Sequence, residues 1–450
     1  MPTGTLAKPK SNLVLIRSAL VAALGGMLFG FDTAVISGTT RALSHAYQLS
    51  PGMLGFTVSV ALWGTVLGSI LAGGPADRYG RRASLHCLAV LYVISALGCA
   101  FAPGYVWLIG SRFIGGLAIG ASSVIGPMYI AEIAPAENRG RLVGLFQVNV
   151  VGGILVAYLS NYLVGLAHTG EAEWRWKLGV AALPAVLFFI SLFSIPQSPR
   201  WLVRVGRRDE ARGVLEQIGE RDIDRHLEDI VESVQTERSG SSEPLFQHKY
   251  RLPVFLAISI GVFNQFTGIN AILYYVNDIF ERAGYSKVSS DQQAVAIGFT
   301  LLIFTLLAMS VIDRLGRKKL LLTGAFGCTL SLAGVTAIFA TGQHGEWLLW
   351  LLVGFIAFFS FSQGAVIWVY ISEVCPTLIR AKGQSLGSFS HWFMNAVISG
   401  IFPLVAASSG AAPFGLFAAM TLAQFVVVLL FYPETKGVTL EQMQKRLLGG

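Results

Sequence analysis

The stretch PADRYGRR at residues 75–82 returns as VIDRLGRK at residues 311–318. Each copy sets an aspartate, an arginine, a glycine and two further cations between apolar runs. YIAEIAPAENR at 129–139 likewise returns as YISEVCPTLIR at 370–380, and PQSPR at 196–200 has a looser echo in PETKG at 433–437. The separations are 236, 241 and 237 residues. So constant an offset means one unit used twice.

The material between these stretches identifies the unit. The 450 residues are 54% hydrophobic and only 13% charged, with mean hydropathy +0.62, where a soluble domain carries about a quarter charged residues. About 20 apolar residues span a bilayer. Twelve such runs lie near 13–38, 54–74, 84–102, 107–131, 142–166, 178–195, 253–279, 293–312, 320–341, 347–372, 383–407 and 412–432. The expected fold is an all-α polytopic membrane protein, six spans to each repeat. An even number of spans gives both copies the same orientation, an arrangement found in transporters that bind substrate near the midplane between halves. The first apolar run is too long for a cleaved signal peptide.

Between the copies hydropathy collapses. Val214, Leu215, Ile218, Leu227, Ile230 and Val234 recur at helical spacing among mixed charges, which predicts two or three short amphipathic helices followed by a break at SGSSEP. The expected divisions are a first half at 1–199, a linker at 200–250 and a second half at 251–450. Charge sets the orientation. With both termini in the cytoplasm, five of the 33 Lys and Arg face outside (Arg41, Arg175, Lys177, Arg282, Lys287), Arg112 lies in a span, and 27 remain on the cytoplasmic side. This positive-inside bias predicts a cell (inner or plasma) membrane protein with cytoplasmic termini. It also explains the net charge of +8 without nucleic acid, which the mixed charges of the linker do not favour. Cys87, Cys99, Cys328 and Cys375 lack metal-ligand spacing and read as small apolar filler.

With these stretches in order, the chain resembles the major facilitator superfamily in its repeated D-R-x-G-R-R/K loops. PMYIAEIAPAENRGR, PQSPRWL, NQFTGINAILYY and PETKG resemble the signatures of its sugar porter family, which includes bacterial xylose and glucose carriers and animal glucose transporters. The resemblance runs from about Leu24 to Gly437. It implies the major facilitator fold and alternating access. It also implies a breakable cytoplasmic gate at Asp77, Arg81, Arg82, Glu132 and Arg139 and, in the second copy, Asp313, Arg317, Glu373 and Arg380. Their own chemistry agrees, since charges at helix ends can trade partners; the plainer reading is that the cations only set topology.

In GGMLFGFDTAVISG (25–38) one carboxylate stands among apolar residues. Asp32 lies about six residues before the outer end of helix one, and Arg112 about five after the start of helix four. At ~1.5 Å per residue both sit roughly 8–9 Å below the outer edge. A lone ionised residue in a span costs at least ~2.5 kcal/mol, so each is the other's natural partner. The pair is either a static ion pair or a proton site whose protonation releases Arg112. Resemblance favours the second, because proton-coupled sugar porters carry an acid at this position of FGFD. Some of them add a carboxylate in helix six, where this chain has GVAALPA at 179–185.

A sugar hydroxyl both donates and accepts, and amides answer both functions; aromatic faces pack on its C–H surface. Helix seven offers Gln265, Asn270, Tyr274 and Tyr275, with Gly268 placed to loosen the helix. Helix ten offers Trp368, helix eleven His391, Trp392 and Asn395, and helix one Phe29. Asn264, Ile154 and Gln363-Gly364-Ala365 depart from the family's Gln, Gln and Trp-Gly-Pro, which leaves a polyol such as inositol open as cargo. The sequence thus points to a proton-coupled monosaccharide symporter, expected to work as a monomer in the lipid bilayer without a cofactor or metal. A passive facilitator and a non-transporting sugar sensor are the alternatives. Neither a nucleophile–base pair nor a phosphate loop points to an enzyme.

Overall fold

The computed structural model describes residues 13–135, 138–220, 222–239, 244–438 and 440–448. The described regular structure is helical throughout. Among the described residues twelve helices are long and apolar enough to cross a membrane: α1 Leu13–Gly38, α2 Pro51–Leu71, α3 Arg81–Ala100, α4 Tyr105–Ile133, α5 Arg139–Leu166, α6 Gly170–Ser194, α7 His248–Tyr274, α8 Lys287–Ile312, α9 Arg317–Thr341, α10 Gly345–Val374, α11 Lys382–Ser408 and α12 Ala412–Phe431. Exposed side chains such as Leu183, Ile190, Leu330 and Leu430 line the outside of the bundle, where only lipid accepts so much apolar surface. The chain is a multi-pass membrane protein of two six-helix halves.

Between α6 and α7, the helices Pro199–Arg204, Arg208–Gln217 and Ile223–Ser239 bury Val214, Leu215, Ile218, Ile230 and Val234, the side chains whose spacing predicted them. These helices mark one face of the bundle, here the linker face; the opposite one is the far face. Within the first half α1 packs on α5 and α4, and α2 on α4; across the halves α2 meets α11 and α5 meets α8. Small residues permit such crossings in a bilayer. A Cβ on Gly30 of α1 would stand 1.8 Å from the Val150 carbonyl oxygen of α5, so no larger residue fits at that crossing.

Two helices are interrupted where the halves face each other. In α7 the helix ending at Phe266 gives way to Ile269–Tyr274 through Gly268, whose φ of +80° is left-handed. A Cβ there would also meet the Phe417 ring at 2.1 Å. In α10 the break falls at Ser362. Sequence periodicity started α6 near 178; the structure starts it at Gly170, because the polar residues Glu173 and Lys177 are satisfied inside the protein and continue the helix.

Candidate functional site

Near the middle of the bundle the halves enclose a cavity of ≈120 Å³. Its walls come from Phe29 and Thr33 on α1, Gln147, Val150, Val151 and Ile154 on α5, Asn264 and Asn270 on α7, Leu301 and Thr305 on α8, Ser360, Gly364 and Trp368 on α10, and His391 and Trp392 on α11. The break at Gly268 turns the second segment of α7 so that Asn270 looks into this space. Asn270 Nδ2 donates to Gln265 Oε1 at 2.9 Å, and Gln265 Nε2 lies 3.1 Å from His391 Nε2. Gln265 is therefore a buried strut between a cavity amide and a cavity imidazole. Phe29 packs against Trp392 with ring centroids 5.3 Å apart, and Trp368 against His391 at 5.1 Å. The cavity thus carries both amide and hydroxyl groups and aromatic faces. At ~10–15 Å³ per water it has room for a small polar solute.

On the far-face side of this cavity, Arg112 Nη2 lies 3.7 Å from Asp32 Oδ2. Arg112 is buried and its Nε has no hydrogen-bond partner among the described residues. A void of ≈10 Å³ separates the pair from Phe29, Thr33 and Tyr274, and one of ≈20 Å³ lies toward Tyr92, Ser95 and Cys99. Among the described residues no three His, Cys, Asp or Glu side chains gather as a metal site.

The far face is closed by contacts between the halves. Lys177 of α6, fully buried, donates to the Gly38 carbonyl at 3.1 Å and pairs with Glu173 at 2.9 Å and with Asp291 of α8 at 3.3 Å. Lys287 reaches back to Glu173 at 2.8 Å, and Arg41 pairs with Glu281. Tyr158 of α5 donates to the Leu273 carbonyl at 2.8 Å. A larger cavity of ≈200 Å³ lies among Arg41, Asp278, Arg282, Phe402 and Phe414, but it lacks the amides and the tryptophans of the central one.

At the linker face the duplicated motifs build two like clusters, each inside its own half. Arg81 pairs with Glu132 at 2.8 Å and with Asp77 at 3.3 Å; Glu132 also accepts from Ser198, and Asp77 pairs with Arg204. Arg317 pairs with Glu373 at 2.9 Å. Arg82 donates to the Leu192 and Phe193 carbonyls at the end of α6, and Arg380 to the Cys375 carbonyl. Arg139 is exposed at the start of α5. The Asp313 side chain lies outside the described residues.

Of the residues expected at a sugar site, the cavity gathers Phe29, Asn270, Trp368, His391 and Trp392, with Gln265 directly behind them. Three stand elsewhere. Tyr275 follows the second segment of α7 at φ −118°, which turns it away; it donates to the Ser399 carbonyl at 3.0 Å and stacks on Phe402 at 5.0 Å. Tyr274 borders the void beside Asp32 rather than the cavity. Asn395 is spent on Tyr274 and Ser399. Lys177, expected in an outer loop, is buried. Sequence reasoning missed Gln147, Thr305 and Ser360. Gln147 lies seven residues before Ile154, two turns along the same face of α5, and that spacing was the available signal.

The chain matches the family described as "Sugar (and other) transporter" over residues 18–447. It is 37% identical to the glucose transport protein of Synechocystis sp., over 98% of this chain and all of that one. It is 34% identical to the D-xylose-proton symporter of Escherichia coli, over 94% of each chain. Among solved structures, the inward open conformation of the E. coli xylose transporter XylE matches with a TM-score of 0.85 and 32% identity, over 95% of this chain and 98% of that one.

Proposed function

Since the chain belongs to the sugar transporter family of the major facilitator superfamily, we propose that it carries a monosaccharide, a hexose or pentose, into the cell together with a proton. It is a carrier and not an enzyme. The observation that carries the reading is the position of the Asp32–Arg112 pair. A carboxylate and a guanidinium 3.7 Å apart, inside the bundle and one thin void from the central cavity, give one titratable group within reach of the cargo. Buried ionisable residues in membrane helices mark ion pathways, and the symporter named among the relatives agrees.

In this reading the cargo lies between Asn270, His391 and Gln147 and packs its C–H faces on Phe29, Trp368 and Trp392. Gln265 holds Asn270 and His391 in place. Ionised Asp32 holds Arg112; a proton on Asp32 weakens that hold and biases the exchange between a carrier open at the far face and one open at the linker face. The Arg81–Glu132 and Arg317–Glu373 clusters at the linker face are, in this reading, parts of the breakable cytoplasmic gate. The positive-inside bias supports the linker face and both termini as cytoplasmic, in the cell membrane, with boundaries 1–199, 200–250 and 251–450. The unit proposed is a monomer.

Purified protein in proteoliposomes tests this with a panel of hexoses, pentoses and inositol, with and without an inward proton gradient. Accumulation of one sugar against its gradient, with proton uptake, is expected. Asp32→Asn should abolish accumulation and retain sugar binding and exchange, because a neutral amide mimics a permanently protonated carrier. Wild-type uptake indifferent to the gradient, or proton uptake with sugar by Asp32→Asn, overturns the reading.

A further inference from the structure

The geometry points to Tyr274 as the residue through which the far-face closure governs the proton on Asp32. This rests on the proton-coupled reading above and adds a mechanism to it. The void of ≈10 Å³ beside the ion pair is lined by ten residues, and nine come from the first half: Asp32 and its neighbours on α1, α2 and α4. The tenth is Tyr274, on the short segment of α7 that follows the Gly268 break. Wherever Asp32 meets the second half across this void, it meets this one phenol.

The phenol is set up to donate. Tyr274 is 3% exposed, and its oxygen accepts from Asn395 Nδ2 at 3.3 Å. Asn395 Oδ1 in turn accepts from Ser399 at 3.0 Å, and the Ser399 carbonyl accepts from Tyr275. This chain holds the α7 segment on α11 and turns the Tyr274 proton toward α1, where the Thr33 hydroxyl is already within hydrogen-bonding reach of the phenol. Three side-chain acceptors border the void with it: the Asp32 carboxylate, the Thr65 hydroxyl and the Thr33 hydroxyl, whose own proton goes to the Phe29 carbonyl at 2.8 Å. Thr65 likewise donates to the Ala61 carbonyl. A charged oxygen is the stronger acceptor, and a void at the lower limit for one water allows the phenol to reach it directly or through a single molecule.

Among the described residues, the other titratable or charged groups bordering the two voids beside Asp32 are Arg112 on α4 and Tyr92 and Cys99 on α3. Tyr92 is bound to Ser122 at 2.8 Å. Every one of these belongs to the first half and travels with Asp32. Of the described titratable groups bordering these two voids, Tyr274 is the one from the other half.

The sign follows. A hydrogen bond to the charged form favours that form. With the far face closed, Tyr274 is docked and the ionised carboxylate is favoured, so the proton leaves toward the linker face. With the far face open, the α7 segment parts from α1 and Asp32 loses the donor. Its hold on a proton tightens, and it loads from the far side. By reciprocity a protonated Asp32 weakens the docking of Tyr274, so proton alone does not close the carrier. Closure then needs the sugar's contacts with Asn270 on the same segment, which prevents proton leak without cargo.

Tyr274→Phe keeps the ring and removes the donor. In proteoliposomes the midpoint of the pH profile for sugar efflux should move up by roughly one pH unit, the scale of one hydrogen bond to a charged group, with sugar affinity within about twofold of wild type. In an Asp32→Asn background the same substitution should leave the pH profile of exchange unmoved. Asn395→Leu, which removes the group polarising the phenol, should give a smaller shift in the same direction, and it serves if Tyr274→Phe does not insert. An unmoved midpoint in Tyr274→Phe and Asn395→Leu, or an equal shift with Asp32 already neutral, overturns the inference. A wild type that takes up no protons with sugar is a different result, the failure of the proton-coupled reading itself.

Discussion

Replacing Lys177 by Met should tilt the carrier toward a state open at the far face. Lys177 is fully buried and serves three acceptors on three elements, one of them Asp291 in the other half. Methionine keeps the length and apolar stem and removes the charge. Breaking a buried pair by removing one partner costs ~3–5 kcal/mol, but two compensations remain: Glu173 keeps Lys287 at 2.8 Å and Asp291 keeps Asn277 at 2.6 Å. A net cost of about 2–3 kcal/mol in the closed state is therefore reasonable. The open state separates Glu173 from Asp291 and lets water reach both, so it escapes most of this cost. At 1.36 kcal/mol per factor of ten the ratio of open to closed should rise roughly 30–150-fold. Spin labels at Phe101 and Ser409, exposed on the far face of opposite halves, report the separation once the exposed Cys87 is replaced by Ser. The distance distribution should lengthen in Lys177→Met and return toward wild type in Lys177→Met/Asp291→Leu, where no charge is left unpaired across the interface. A wild-type distribution in a folded Lys177→Met protein would show that the closure rests on packing and not on this cluster.

Two further outcomes follow from the cavity and the α7 break. Asn270→Ala should weaken sugar binding by ~0.5–1.5 kcal/mol for one neutral hydrogen bond, and Gln265→Ala by at least as much, since it frees both Asn270 and His391; calorimetric binding at unchanged thermal stability checks this, and unchanged affinity in both moves the site elsewhere. Gly268→Ala should cost more than the ~1–2 kcal/mol of a left-handed residue, because its Cβ would also enter the Phe417 ring; a melting temperature equal to wild type would mean that α7 straightens instead of breaking there.

What the sequence made legible was whatever local spacing encodes. The duplicated loops placed the helix ends, the equal depth of Asp32 and Arg112 paired them, and the five-residue step from Gln265 to Asn270 set the two amides near each other with Gly268 to loosen the helix between them. What it hid depends on contact between the halves. Lys177 reads as a loop cation because its stabilising partners, Gly38 and Asp291, lie 139 and 114 residues away. Tyr275 reads as a site residue because helical spacing cannot show that the chain turns after Tyr274. Thr305 and Ser360 were invisible for a different reason: a lone hydroxyl in an apolar helix commonly bonds its own preceding turn, as Thr300 and Thr329 do here, so its presence alone says nothing of a cavity.

Lys177 and Arg112, the buried cations on the far-face side of the cavity, have opposite designs. Lys177 is held by short bonds to groups in both halves, so it must be released as the far face opens and re-formed as it closes. Arg112 and Asp32 sit in one half, 3.7 Å apart, with an Nε unpartnered among the described residues and small voids on either side. Such a pair is costly by the standard of buried ions. Tighter packing would favour one protonation state in every conformation, and a group that never changes its proton cannot couple to anything. The looseness leaves the balance to a neighbour that comes and goes, and the residue bordering that void from the other half is Tyr274. A latch between the halves and a titratable pair within one half thus need each other: the first decides when the phenol is present, and the second makes its presence matter.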